Sequence, residues 1–138
     1  MNSKTYKLSS DKLWYLIESD FSNNGGIYKL SCTDNSNQIV QTNRLLKTDP
    51  KGILYIGKAT SFLDRVINLK KSISPDYNSS SHECGLRYKN SDAIKKLFPY
   101  QNLVIELSAH DDINTEEKRL LTEYELEFGE LPPLNRNK

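Results

Sequence analysis

The sequence predicts a small α+β domain: a central three-stranded sheet of antiparallel type, flanked by helices. Three observations carry this. Three short runs rich in Ile, Val, Leu and Tyr have strand length, and four stretches repeat apolar residues with the helical period. The length of 138 residues suits one core and one domain, so residues 1–138 read as a single unit.

The elements follow in order. Asp11 is placed to cap a first helix with Leu13, Trp14, Leu16, Ile17 and Phe21 on its apolar face, which makes residues 1–24 an N-terminal helical extension. Asn23-Asn24-Gly25-Gly26 is a turn signal, and Ile27-Tyr28-Lys29-Leu30 is the first strand. Residues 33–50 are polar and loop-like, with a short strand at Ile39-Val40 and a stop at Asp49-Pro50. Ile53 to Gly57 is the second strand, close enough in sequence to pair antiparallel with the first.

Ser61 and Asp64 have capping-box form ahead of a helix carrying Phe62, Leu63, Val66, Ile67 and Ile73. Residues 74–81 are a Pro/Asn/Ser-rich loop, and residues 91–98 a short helix that Pro99 stops. Leu103 to Leu107 is the third strand. Asn114 is placed to cap a last helix, with Glu116 and Glu117 at the positive end of its dipole. Leu120, Leu121, Tyr124 and Phe128 form its buried stripe, and Gly129 with Pro132-Pro133 ends it.

Composition bounds the function. No apolar run approaches the roughly 20 residues that cross a bilayer, so no membrane partner is expected. The N-terminus has no apolar signal core, and two cysteines are too few for a disulfide scaffold; a cytoplasmic location is the expectation. With 19 basic and 18 acidic residues the net charge is +1, at first sight a poor match for nucleic acid. The charge is unevenly spread. Residues 43–98 hold eleven basic against five acidic residues, and residues 99–138 hold four against nine. A basic middle segment can form a local footprint for phosphates on a neutral chain.

Several chemistries are missing from the pattern. There is no Gly-rich loop ending in Lys-Ser/Thr for nucleotide phosphates, and His82-Glu83 has no second histidine at helical spacing. A zinc site would need nearly all of Cys32, His82, Cys84 and His110.

What remains is an ordered set: Gly26-Ile27-Tyr28, Tyr55-Ile56-Gly57, Arg65, His82, Glu123 and Asn135. In order and spacing it resembles the GIY-YIG nuclease superfamily over roughly residues 25–136, as a restriction-endonuclease-like or stand-alone member. The resemblance implies that the two triplets lie on neighbouring strands and that Arg65 sits in the next helix. It also implies a catalytic glutamate about twelve residues before an asparagine that follows a proline. Glu123 stands twelve residues before Asn135, in Leu131-Pro132-Pro133-Leu134-Asn135. His82-Glu83-Cys84-Gly85 resembles the His-Gly region of restriction-like members. One departure stands out: 26 residues separate the triplets, which implies an inserted hairpin or loop over residues 31–52.

The chemistry suits those residue types. Phosphodiester hydrolysis needs a base for the attacking water, positive charge for the transition state and help for the leaving oxygen. By the resemblance, Tyr28 is the base, assisted or replaced by His82, while Tyr55 bonds to the water and phosphate oxygens. Arg65 offers a fixed fork of donors, Lys58 and Arg87 are further phosphate contacts, and Asn135 holds its surroundings in place. Glu123 is the single ligand for Mg²⁺ (or Mn²⁺), with Glu127 on the same helix face as second choice. The implied activity is a divalent-metal-dependent endonuclease acting on DNA, either as a homodimer or brought to its target by a separate protein. The rival readings are a catalytically silent nucleic-acid-binding domain and a partner-docking domain of the same fold.

Overall fold

The structure is a computed structural model in which residues 3–77 and 82–137 are described. Six strands and five helices follow in the order β1 (Ser3–Lys7), α1 (Leu13–Phe21), β2 (Gly26–Cys32), β3 (Thr42–Asn43), β4 (Thr48–Asp49), β5 (Tyr55–Ala59), α2 (Phe62–Ile73), α3 (Glu83–Lys89), α4 (Asp92–Leu97), β6 (Leu103–Ala109) and α5 (Ile113–Phe128). The α+β class holds, and all three expected strands form.

The main sheet has four strands rather than three, antiparallel throughout, in the order β1-β6-β2-β5. The additional strand, β1, pairs Tyr6 with Ile105 and Lys4 with Leu107. It buries only Tyr6, so its sequence carries no readable alternation. The pairing edge of β6 holds it there, together with the Tyr6 hydroxyl, which donates to Asp20 of α1 at 2.5 Å.

Alternation along β2 divides the core in two. Tyr28, Leu30 and Cys32 point to the face covered by α1 and α2, with α3 packed on α2; there they meet Leu103, Ile105 and Leu107 of β6. Ile27 points to the opposite face, where Ile53 and Ile56 meet Leu121, Tyr124 and Phe128 of α5. The expected stripe of α5 is thus the surface it buries.

Caps explain where helices begin and end. Ser61 accepts from the Asp64 amide, as its sequence suggests, and Ser91 accepts from the Ile94 amide. Gly129 closes α5 in the left-handed conformation, at φ 84°. Two caps differ from expectation. Lys12, not Asp11, holds the cap position of α1, without a side-chain bond. Asp112 caps α5 by accepting from the Thr115 amide, which leaves Asn114 inside the first turn. α3 has no counterpart in the sequence reading, and residues 78–81 of the preceding loop lie outside the described residues.

The long connection between β2 and β5 is ordered. Ile39 makes a lone bridge to Thr33 instead of a strand, and β3 pairs with β4. Asp49, almost wholly buried, ties this segment to the domain: it accepts from the Lys51 and Ile53 amides at 2.9 and 3.0 Å and from the Tyr124 hydroxyl at 2.8 Å. Asp49→Ala strands two buried donors and one partly buried one, and urea unfolding is expected to show a loss of about 3 kcal/mol.

Candidate active site

Strand register builds the centre. Tyr28 pairs with Gly57 and Leu30 with Tyr55, which puts Tyr28 and Tyr55 diagonally opposite on one sheet face, their ring centroids 5.9 Å apart. The Tyr28 ring crosses directly over Gly57. A Cβ there would lie 2.4 Å from the Tyr28 ring carbon Cζ and 2.7 Å from Cε2 of Tyr55. Only glycine leaves both rings in place, which gives the third residue of Tyr55-Ile56-Gly57 a physical role.

His82 completes the cluster from the residue before α3. Its Nε2 lies 2.9 Å from the Tyr28 hydroxyl, and its amide donates to Ser72 Oγ of α2 at 3.2 Å. Nδ1 is buried with no hydrogen-bond partner among the described residues. Burial, with Arg65 and Arg87 nearby, lowers the His82 pKa to about 4, so the ring is neutral at physiological pH. Burial pushes the Tyr28 hydroxyl upward, as does Tyr55, while the Arg65 guanidinium beside it pulls the other way. Tyr55 is raised in the same manner, again against the pull of Arg65.

The low His82 value has a consequence for stability. The unfolded chain takes up a proton near pH 6.5 that the folded chain resists until about pH 4. Stability is therefore full above about 6.5, falls as pH drops toward 4, and levels off below; the loss is about 3 kcal/mol at most. Urea titrations across this range are expected to show it in the wild type and to show it reduced in His82→Gln.

Above this cluster lies a cavity of about 420 Å³, lined by Tyr28, Tyr55, Lys58, Thr60, Ser61, Asp64, Arg65, Asn68, Ile113, Asn114 and Glu117, with Ala59. Tyr28 forms its floor and Arg65 rises from the first turns of α2. The N-terminal turns of both α2 and α5 border it, so two positive dipole ends add to Lys58 and Arg65. Glu117 is the carboxylate of α5 that faces in. It lies one turn before Leu121 and two before Tyr124, on the stripe that packs against the sheet. The Lys58 ammonium stands 3.7 Å from Glu117 Oε1 and donates to Asn114 Oδ1 at 2.5 Å.

Asn135 does not enter the cavity; it clamps the strand that builds it. Its Oδ1 accepts from the Ile56 amide at 2.9 Å and its Nδ2 donates to the Ile56 carbonyl at 3.0 Å. Since β5 is an edge strand, this amide acts as a one-residue partner between Tyr55 and Gly57.

Of the residues the sequence singles out, Tyr28, Tyr55, Lys58, Arg65 and His82 come together, with Asn135 in support. Glu123 does not join them. It is turned about 200° around α5 from Leu121, at 100° per residue. It pairs with Arg119 and borders a separate cavity with Lys29 and Lys51. Glu127 lies on that side too, paired with Lys47 at 2.8 Å. Arg87 donates to the Leu134 carbonyl and borders a cavity beside the C-terminal segment, so it straps that segment instead of facing the tyrosines. The residue missed was Glu117. The helical wheel holds the signal, because Glu117, Leu121, Tyr124 and Phe128 share one stripe.

A metal would find two carboxylates along the cavity, Glu117 and the exposed Asp64, and no cluster of three or more His, Cys, Asp or Glu among the described residues. That donor set fits a cation that keeps most of its waters, Mg²⁺ or Mn²⁺, and not zinc. Among the described residues no helix is long and apolar enough to cross a membrane. Comparison of the chain with protein-family models, with curated proteins and with solved structures returns no match.

Proposed function

We propose that the protein is a GIY-YIG-like, divalent-metal-dependent endonuclease that hydrolyses phosphodiester bonds in DNA. One observation carries this: a single cavity collects two tyrosines, a guanidinium, an ammonium and two carboxylates above a tyrosine–histidine pair. The two cations and the two helix N-termini match the oxygens of a phosphodiester, and the carboxylates match a metal cation that accompanies it.

In this reading Arg65 and Lys58 hold the non-bridging oxygens of the scissile phosphate, with the helix dipoles behind them. Tyr28 relays the proton of the attacking water: its hydroxyl receives that proton while passing its own to Nε2 of neutral His82. The required tautomer carries its proton on Nδ1. A relay suits Tyr28 better than a standing tyrosinate, because burial holds its hydroxyl protonated. Tyr55 orients water or phosphate from the exposed side. Glu117 holds the cation, which when bound supplies Lewis-acid charge to the phosphate and leaving oxygen. Asn135 keeps Tyr55 and Gly57 in register.

One cavity cuts one strand at a time, so a double-strand break requires a second copy or a second encounter. Supercoiled plasmid tests the reading: with Mg²⁺ the protein is expected to yield nicked circles, and with EDTA none. Plasmid that stays supercoiled in Mg²⁺, though bound, would mean a silent nucleic-acid-binding domain.

A further inference from the structure

We infer that Lys58 is a latch that makes metal loading of Glu117 depend on a phosphodiester already being in the cavity. The inference rests on the nuclease reading for the identity of the ligands, and on geometry for the latch itself. The Lys58 ammonium stands 3.7 Å from the Glu117 carboxylate, steadied by its bond to Asn114 Oδ1 at 2.5 Å. Both anchors lie on the first turns of α5, so a lysine on β5 reaches across the mouth to a neighbouring element. A cation at Glu117 and the ammonium compete for the same oxygens and repel each other at that separation.

A phosphate changes the balance. It brings negative charge to the same cavity, where Lys58 is a lining side chain that is nearly half exposed and free to swing. Once the ammonium pairs with the phosphate, Glu117 is released and the phosphate oxygens add further metal ligands. Metal and substrate therefore bind with positive coupling, and by reciprocity metal tightens the hold on substrate. The coupling is modest, since a partly exposed pair is worth little on its own. Its effect is to weaken metal binding by a few-fold until nucleic acid arrives.

The test reads metal binding and not cleavage. Mn²⁺ affinity is measured by electron paramagnetic resonance for the wild type, Lys58→Met, Lys58→Arg and Asn114→Ala, alone and with saturating thymidine dinucleotide. Without dinucleotide, Lys58→Met is expected to bind Mn²⁺ about five-fold more tightly than wild type, Asn114→Ala about two-fold, and Lys58→Arg as wild type does. With dinucleotide the difference between Lys58→Met and wild type is expected to close. If Lys58→Met and Asn114→Ala both bind Mn²⁺ alone no better than wild type, the latch is overturned. Plasmid cleavage does not enter this comparison, so the latch and the nuclease reading fail by separate results.

Discussion

Glu117→Gln is expected to reduce Mg²⁺-dependent plasmid nicking by about 10³-fold, and Glu123→Gln to leave it within about three-fold of wild type. The substitution keeps the shape of Glu117 and removes the charge that holds the cation. Asp64, the other carboxylate that lines the cavity, is exposed in the first turn of α2 and is not expected to take its place. Glu123 makes the informative control, since it stands in the same helix. Its carboxylate is occupied by Arg119, which Glu116 also binds at 2.6 Å. A single-turnover assay at saturating enzyme compares the two variants directly. An inverted order, with Glu123 essential and Glu117 dispensable, would contradict the assignment of Glu117 as the metal ligand.

Tyr28→Phe is expected to lower the rate by about 10²- to 10⁴-fold, the span of a lost proton-transfer group. The substitution removes one oxygen and leaves the ring over Gly57, so the fold and DNA binding are expected to persist. The loss should appear in the maximal rate and not in the apparent affinity, which separates relay from binding. His82→Gln should lose rate through the same path. In the wild type the relay needs His82 neutral, so the rate is expected to fall only as pH drops toward about 4, through the His82 pKa. That acidic limb should be missing in His82→Gln. A rate profile over pH for the three proteins checks all of this.

Much of the fold was legible because it rests on local chemistry. Ser61, Ser91 and Gly129 have the residue types their helix ends require, and β2, β5 and β6 are apolar runs that the sheet buries. β1 was not legible, because one buried tyrosine among exposed residues carries no period. α3 was hidden for a related reason: its buried residues, Cys84, Gly85 and Tyr88, include a glycine that packs on Ser72 and adds nothing to an apolar pattern. Asp11 and Asn114 were eligible cap residues beside the true cap positions, where sequence alone decides poorly.

The site divides in the same way. Tyr28, Tyr55 and Arg65 were legible because strand register and helix phase place them once the motif order is read. His82 was legible through the resemblance, while its contact with the Tyr28 hydroxyl comes from the packing of α3 on α2, which no spacing rule contains. Distance from Asn135 points to Glu123 because it is measured along the chain, whereas the helix sorts its carboxylates by angle and brings Glu117 to the cavity. Angle favours Glu117. The nearly neutral total charge concealed this centre for a similar reason: Lys58 and Arg65 face one cavity, while much of the acidity of the C-terminal part lies elsewhere on α5.

The positions of bound metal and phosphate decide whether Glu117 and Arg65 act as proposed. Crystals grown with a short DNA duplex and Mn²⁺, examined by anomalous scattering, give those positions directly. The expected result is one manganese in contact with Glu117, beside a phosphate held by Arg65 and Lys58 above Tyr28. Manganese at Glu123, or DNA bound away from the Tyr28–Tyr55 cavity, would contradict it.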